Sequence, residues 1–167
     1  MRFVVTGEWT RNRLLKIIVA CFLCYTVILW LTNAGLYFSK MGLTPASVVD
    51  YYRGNEDRYL PARSLAGLLE VLHFHSFAMG MLLLTLTHLM LFVPLSLETK
   101  AWGIATAFGS GLVGELSGWA VRFVHPWFAI VKIASFLVLQ AVVLWLIVIV
   151  ARALLTNAPS SYGAASR

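Results

Sequence analysis

Four stretches of this chain are apolar over lengths that a membrane demands. They run from about Leu14 to Tyr37, Leu65 to Phe92, Ala101 to Phe123 and Trp127 to Leu155. Each is close to or above the roughly 20 residues that carry an α-helix across the hydrocarbon layer. No water reaches backbone amides there, so a spanning segment must satisfy them internally, as a helix does. The expected fold class is therefore all-α and polytopic: a bundle of four transmembrane helices in a single membrane domain over residues 1–167, with a loop at 38–64. Composition agrees, since 60% of residues are hydrophobic and 12% charged, against about a quarter charged in soluble domains. The first run is too long for a signal peptide and lacks a small-x-small cleavage pattern, so it reads as a retained helix.

The net charge of +6 does not point to nucleic acid, because the basic residues form no patch beside aromatics. They sort by membrane side instead. With the N-terminus inside, Arg2, Arg11, Arg13, Lys16, Lys100, Arg152 and Arg167 all lie inside. Lys40, Arg53, Arg58 and Arg63 of the outer loop are offset by Asp50, Glu56 and Asp57. The bias places both termini in the cytoplasm, and the expected location is a bacterial cytoplasmic membrane.

Local signals organise the connections. Thr44-Pro45 is a helix start and Gly54-Asn55 a stop. A short helix is expected over Pro45–Arg53, with Val48, Val49 and Tyr52 on its apolar side, resting on the membrane or on the bundle end. The N-terminal tail is expected on the inner surface with Trp9 at the interface, and the tail after Asn157 is expected to be disordered. Gly114 and Gly118 form G-x-x-x-G in the third run, a spacing that lets helices approach closely. Cys21 and Cys24 form C-x-x-C without the soluble βαβ setting of a redox motif, and read as small packing residues.

The chemistry sits in the second run. Glu70, His73, His75 and His88 all lie within it. Ionisable groups at membrane depth are costly and mark ligand sites, ion paths or redox centres. At about 100° and 1.5 Å per residue, His73 and His88 lie roughly 60° apart around the helix and about 22 Å apart along it. Gly80 falls between them on the same face. His75 points about 160° away from His73.

The pattern His73…Gly80…His88 resembles the membrane b-type cytochromes over about twenty residues of one helix. In that family one helix presents a histidine near each membrane surface, with a small residue between them to admit porphyrin, and a second helix supplies the opposite axial ligands. The resemblance implies haem b. His125 would be one ligand and His73 or His75 the other, with His73 favoured because it shares the face of Gly80. His75 would then meet a neighbouring helix or subunit. Nothing in the chain faces His88, so a second haem needs a partner's ligand. Arg122 and Lys132 could hold haem propionates or a quinone head group, or could snorkel to the outer interface.

The same residues allow other readings. Glu70 and His73 form Glu-x-x-His, the ligand pattern of di-metal carboxylate bundles, with Glu115 as a further carboxylate. His73, His75 and His125 suit copper or zinc by ligand type, although His73 and His75 diverge on a regular helix. Glu115 and Lys132 are expected to lie near each other, since opposite charges at membrane depth pair. The leading expectation is a small cytochrome b-like electron-transfer subunit. It would work in the lipid bilayer beside other membrane or periplasmic redox subunits, linking the quinone pool to an outer-face partner. The alternatives are a non-redox anchor or assembly subunit, and a haem-free metal- or quinone-binding membrane protein.

Overall fold

The structure is a computed structural model that describes residues 12–156. The expectations for Trp9, for Arg2 and Arg167, and for the tail beyond Asn157 lie outside the described residues. Among the described residues there are four long α-helices, one short one and a single 3-10 turn at Glu56–Arg58: α1 Arg13–Lys40, α2 Pro45–Arg53, α3 Leu65–Leu91, α4 Leu97–Phe123 and α5 Phe128–Thr156.

Side-chain caps set most helix starts. The Asn12 side chain accepts from the amides of Leu14 and Leu15, Thr44 Oγ1 from Ser47, Ser64 Oγ from Gly67 and Ser96 Oγ from Thr99. Each satisfies a first-turn donor that has no intrahelical acceptor. Ser96, with Glu98 in the first turn, starts α4 earlier than the apolar run at Ala101 suggests. A carboxylate there complements the positive end of the helix.

The short helix α2 caps one end of the bundle, hereafter the loop end. Val48 is fully buried, and Tyr52 packs with Leu68, Val121 and Ala129. Arg53 Nε donates to the carbonyl of Val121 at 2.6 Å. Arg122 Nε donates to the carbonyl of Arg63 at 3.0 Å. These bonds tie the loop to the end of α4 and fix its level against the start of α3. Gly54 ends α2 at φ 83°, where a Cβ would lie 2.7 Å from both Ala62 N and Leu60 O. Only glycine suits that turn.

The helix α4 is the hub. Its buried positions are Gly103, Ala107, Ser110, Gly111, Gly114, Ser117, Gly118 and Val121, a stripe of small residues on which α5 and α3 lie. A Cβ on Gly103 would lie 2.8 Å from the Trp145 ring of α5, and one on Gly118 would lie 2.6 Å from the Tyr52 hydroxyl. The glycines of the G-x-x-x-G pair thus serve two partners, Gly114 against Ser135 of α5 and Gly118 against Tyr52 of α2.

Two apolar clusters fill the bundle. One, at the loop end, holds Tyr37, Met41, Val48, Tyr52, Leu68, Val121, Ala129 and Phe136. The other, toward the opposite end, includes Leu23, Leu83, Leu86, Met90, Val143, Leu146 and Val150. Outside them, large apolar side chains stand exposed along the helices, among them Ile18, Tyr25, Ile28, Phe74, Phe77, Leu84, Leu112 and Leu116. An apolar surface of this extent belongs in lipid. By length and composition, α1, α3 and α5 can each cross a membrane. Cys21 and Cys24 are free and stand on the exposed side of α1, so their reading as small packing residues is not met within this chain.

Candidate intramembrane polar site

Between the two apolar clusters, α3, α4 and α5 each bring in one ionisable side chain. His75 Nδ1 of α3 lies 3.1 Å from Glu115 Oε1 of α4. Lys132 Nζ of α5 donates to the carbonyl of Gly114 at 2.7 Å. That carbonyl also accepts from Ser117 Oγ at 2.9 Å. The His75 and Glu115 side chains are 49% and 25% exposed, so the pair is reachable from a cavity rather than sealed in the core.

His75 is placed by the packing of its helix. The buried positions of α3 are Leu68, Leu83, Leu86, Thr87 and Met90. His75 lies seven residues from Leu68 and eight from Leu83, within the same inward arc. His73 lies outside that arc. It is exposed and touches the ring of its neighbour Phe74. Gly80 has open space where a Cβ would go, and His88 is half-buried beside Phe92. The choice of His73 as the histidine that faces the bundle is therefore corrected: the inward one is His75. Gly80 lines neither of the two cavities that His75 lines.

His125 sits in the turn between α4 and α5, exposed, with Nδ1 accepting from the Trp127 amide at 3.1 Å. The bond from Arg122 to the Arg63 carbonyl sets that turn level with the start of α3. His73 and His75 are eight and ten residues into α3, or about 12–15 Å farther along the axis. Among the described residues no hydrogen bond or ring contact joins His125 to either of them: His125 bonds the Trp127 amide, His75 meets Glu115 and His73 meets Phe74. Nor do the proposed metal ligands converge. Glu70 is exposed, away from Glu115. Among the described residues no group of three His, Cys, Asp or Glu side chains is placed to hold a metal ion.

Lys132 and Glu115 do lie in one cavity, but they form no direct ion pair: each has another partner. Lys132 points into the bundle and does not snorkel. Arg122 is at the loop end, on the Arg63 carbonyl and near the Phe123 ring.

Two spaces flank His75. One, of about 160 Å³, is lined by Tyr37, Tyr52, Glu115, Lys132 and Ser135 among others. The second, of about 130 Å³, is an apolar cleft between α1, α3 and α5, bounded by Trp30, Asn33, Met79, Leu82, Leu139 and Gln140. Each space is lined by a residue carrying a buried polar atom without a protein partner: Tyr37 Oη in the first and Gln140 Nε2 in the second. Burying such atoms unpaired is costly, and they were not singled out from the sequence. The available signal was an amide in the middle of the most apolar run, Gln140, and another, Asn33, in the first.

A family model described as a transmembrane helical domain matches residues 42–161. The chain belongs to that family. This transmembrane helical domain is an integral membrane protein in contact with the lipid bilayer. The matched segment holds all the histidines, Glu115 and Lys132, whereas α1, with Asn33 and Tyr37, precedes it. No curated protein and no solved structure matches the chain.

Proposed function

We propose that this transmembrane helical domain is a subunit of a membrane electron-transfer system and binds a quinone head group at the His75–Glu115 pair. The observation that carries this reading is the placement of that pair. An imidazole and a carboxylate in hydrogen-bond contact meet a cavity at membrane depth, beside an apolar cleft open to lipid-soluble molecules.

The chemistry suits a quinone and quinol couple. The oxidised ring carries two carbonyl oxygens, which accept hydrogen bonds. Tyr37 Oη and Gln140 Nε2 are donors with no acceptor among the described residues, and the Lys132 amine lines the same cavity as Glu115. The reduced ring carries two hydroxyls, which donate. Glu115 and His75 can take their protons while the electrons pass to a redox partner subunit. Trp30, Leu82, Leu139 and Val143 line the cleft that receives the ring or its isoprenoid tail.

In this reading α4 is the fourth span. It has 27 residues, about 40 Å of helix, and lies between two spans as their antiparallel neighbour. Its lower hydropathy follows from the small and polar residues it gives to the interior. The charge bias puts both termini in the cytoplasm of a bacterial cell and the loop end outside, toward a membrane or periplasmic redox partner.

The test is binding of a short-chain quinone analogue to the purified protein. Binding that is lost in Glu115→Gln and His75→Ala, with helix content retained, supports the reading. Undiminished binding in both variants removes it, and an absence of binding in the wild type leaves the anchor or assembly subunit in front. A second reading keeps haem b, now between subunits, because His73 and Gly80 form an outward face with unfilled space at Gly80. A Soret band in the intact complex that disappears in His73→Ala or His88→Ala favours it.

A further inference from the structure

We propose that the Glu115–His75 pair exchanges protons with water on the loop side of the membrane, through the Tyr52 hydroxyl, and is closed to the other side. The inference rests on the site assigned above and adds a direction to it.

A third cavity, of about 590 Å³, opens at the loop end between the end of α1, α2 and the start of α3. Its polar lining includes Lys40, Asp50, Arg58 and Arg63, with Arg58 bonded to Asp50 at 3.4 Å. The smaller cavity that holds Glu115, His75 and Lys132 lies directly beneath it. The two share a wall made of Lys40, Met41, Tyr51, Tyr52 and Val71. Of these, Tyr52 goes deepest. It is 7% exposed, its hydroxyl lies against Gly118, and Gly118 is one helical turn from Glu115.

The ionisable side chains around Glu115 are level with it or toward the loop, whereas Ser110, five residues farther from the loop on α4, gives its hydrogen bond to the Ala107 carbonyl of its own helix. His75 comes from α3, Lys132 from α5, Tyr51 and Tyr52 from α2, and Tyr37 and Lys40 from α1. Tyr52 is close enough to Glu115 for their charges to interact. A phenol passes a proton without ionising: its oxygen accepts one hydrogen bond and its own hydrogen moves onward. Burial holds the Tyr52 phenol well above its usual range, with the Glu115 charge acting in the same direction, so it serves as a neutral relay.

The opposite direction is dry. Leu83, Leu86, Met90, Val143, Leu146 and Val150 fill the bundle there, each no more than 3% exposed. Thr87, the buried hydroxyl of that region on α3, is bonded to the Leu83 carbonyl of its own helix at 2.6 Å. A buried water needs two to four polar partners, and this cluster offers none in series.

The test uses the full-length protein in sealed vesicles of known orientation, with dicyclohexylcarbodiimide as the probe. This reagent modifies protonated carboxyl groups in apolar surroundings. Modification of the Glu115 peptide is followed by mass spectrometry while the pH of each compartment is varied alone, with Glu115→Gln as the blank. The expected result is a rate that falls as loop-side pH rises, by up to about tenfold per unit, with no response to the other compartment. Tyr52→Phe, which keeps the ring on Gly118, should slow the response to a loop-side pH jump. A rate that follows the opposite compartment, or both, overturns the proposal. An unchanged response in Tyr52→Phe overturns Tyr52 as the relay. The labelling needs no quinone, so sided labelling in a protein that binds no quinone analogue would separate failure of the ligand from failure of the route.

Discussion

His75 Nδ1 and Glu115 Oε1, 3.1 Å apart, join α3 to α4 at the level where the two apolar clusters of the bundle part. Both side chains keep part of their surface in the cavity. The contact therefore combines a modest structural role with access for a ligand.

That balance sets the cost of breaking it. Hydrogen bonds between transmembrane helices average about 0.6 kcal/mol and reach about 1.7 kcal/mol. His75→Ala should destabilise the bundle within that range in a detergent unfolding titration. A loss well above it would mean that the pair is a structural keystone rather than an accessible site.

Lys132 and Glu115 share a cavity without touching, because Lys132 is bonded to the Gly114 carbonyl. A double-mutant cycle with Glu115→Gln and Lys132→Met should give a smaller coupling energy than one with Glu115→Gln and His75→Ala. The reverse order would show that the two charges pair directly in the membrane.

The loop cap depends on the absence of a side chain at Gly118. A Cβ there would lie 2.6 Å from the Tyr52 hydroxyl and 2.8 Å from Cζ. Gly118→Ala should cost about 1–3 kcal/mol, the usual range for overpacking, and much of the loss should be recovered when Tyr52→Ala is added. An additive double mutant would show that α2 moves aside freely.

Tyr52 also predicts a pH effect at the alkaline end. Burial raises the folded-state affinity of its phenol for the proton above that of the unfolded chain. Its contribution is fully present below about pH 10, the ordinary tyrosine value, and is lost as pH rises beyond it. The unfolding midpoint of the wild type should fall more steeply above pH 10 than that of Tyr52→Phe.

Sidedness is open to direct measurement. Asp57 is exposed beside the short turn after α2. With Cys21 and Cys24 replaced by alanine, Asp57→Cys should react with an impermeant maleimide added outside the cell. Reaction only from the cytoplasmic side would invert the topology.

The sequence by itself determined the helices and, where a capping side chain stands, their starts. Apolar runs longer than about 20 residues leave a chain in lipid no other way to satisfy its backbone. The caps at Thr44, Ser64 and Ser96 are local, because each side chain bonds an amide three residues on. The expected helix over Pro45–Arg53 appears with those bounds for the same reason. The rotation of each helix was decided only by the tertiary structure. In α3 the lipid-facing side carries Phe74, Phe77 and Leu84 and the buried side Leu83, Leu86 and Met90. Lipid is as apolar as the interior, so hydrophobicity does not distinguish the two faces, and His73 and His75 could not be told apart by pattern. The small-residue stripe of α4 decides it, by admitting the α3 face that carries His75. The level of His125 was equally beyond reach of the sequence. It depends on bonds from Arg53 and Arg122 across the loop, between residues up to 68 positions apart in the chain.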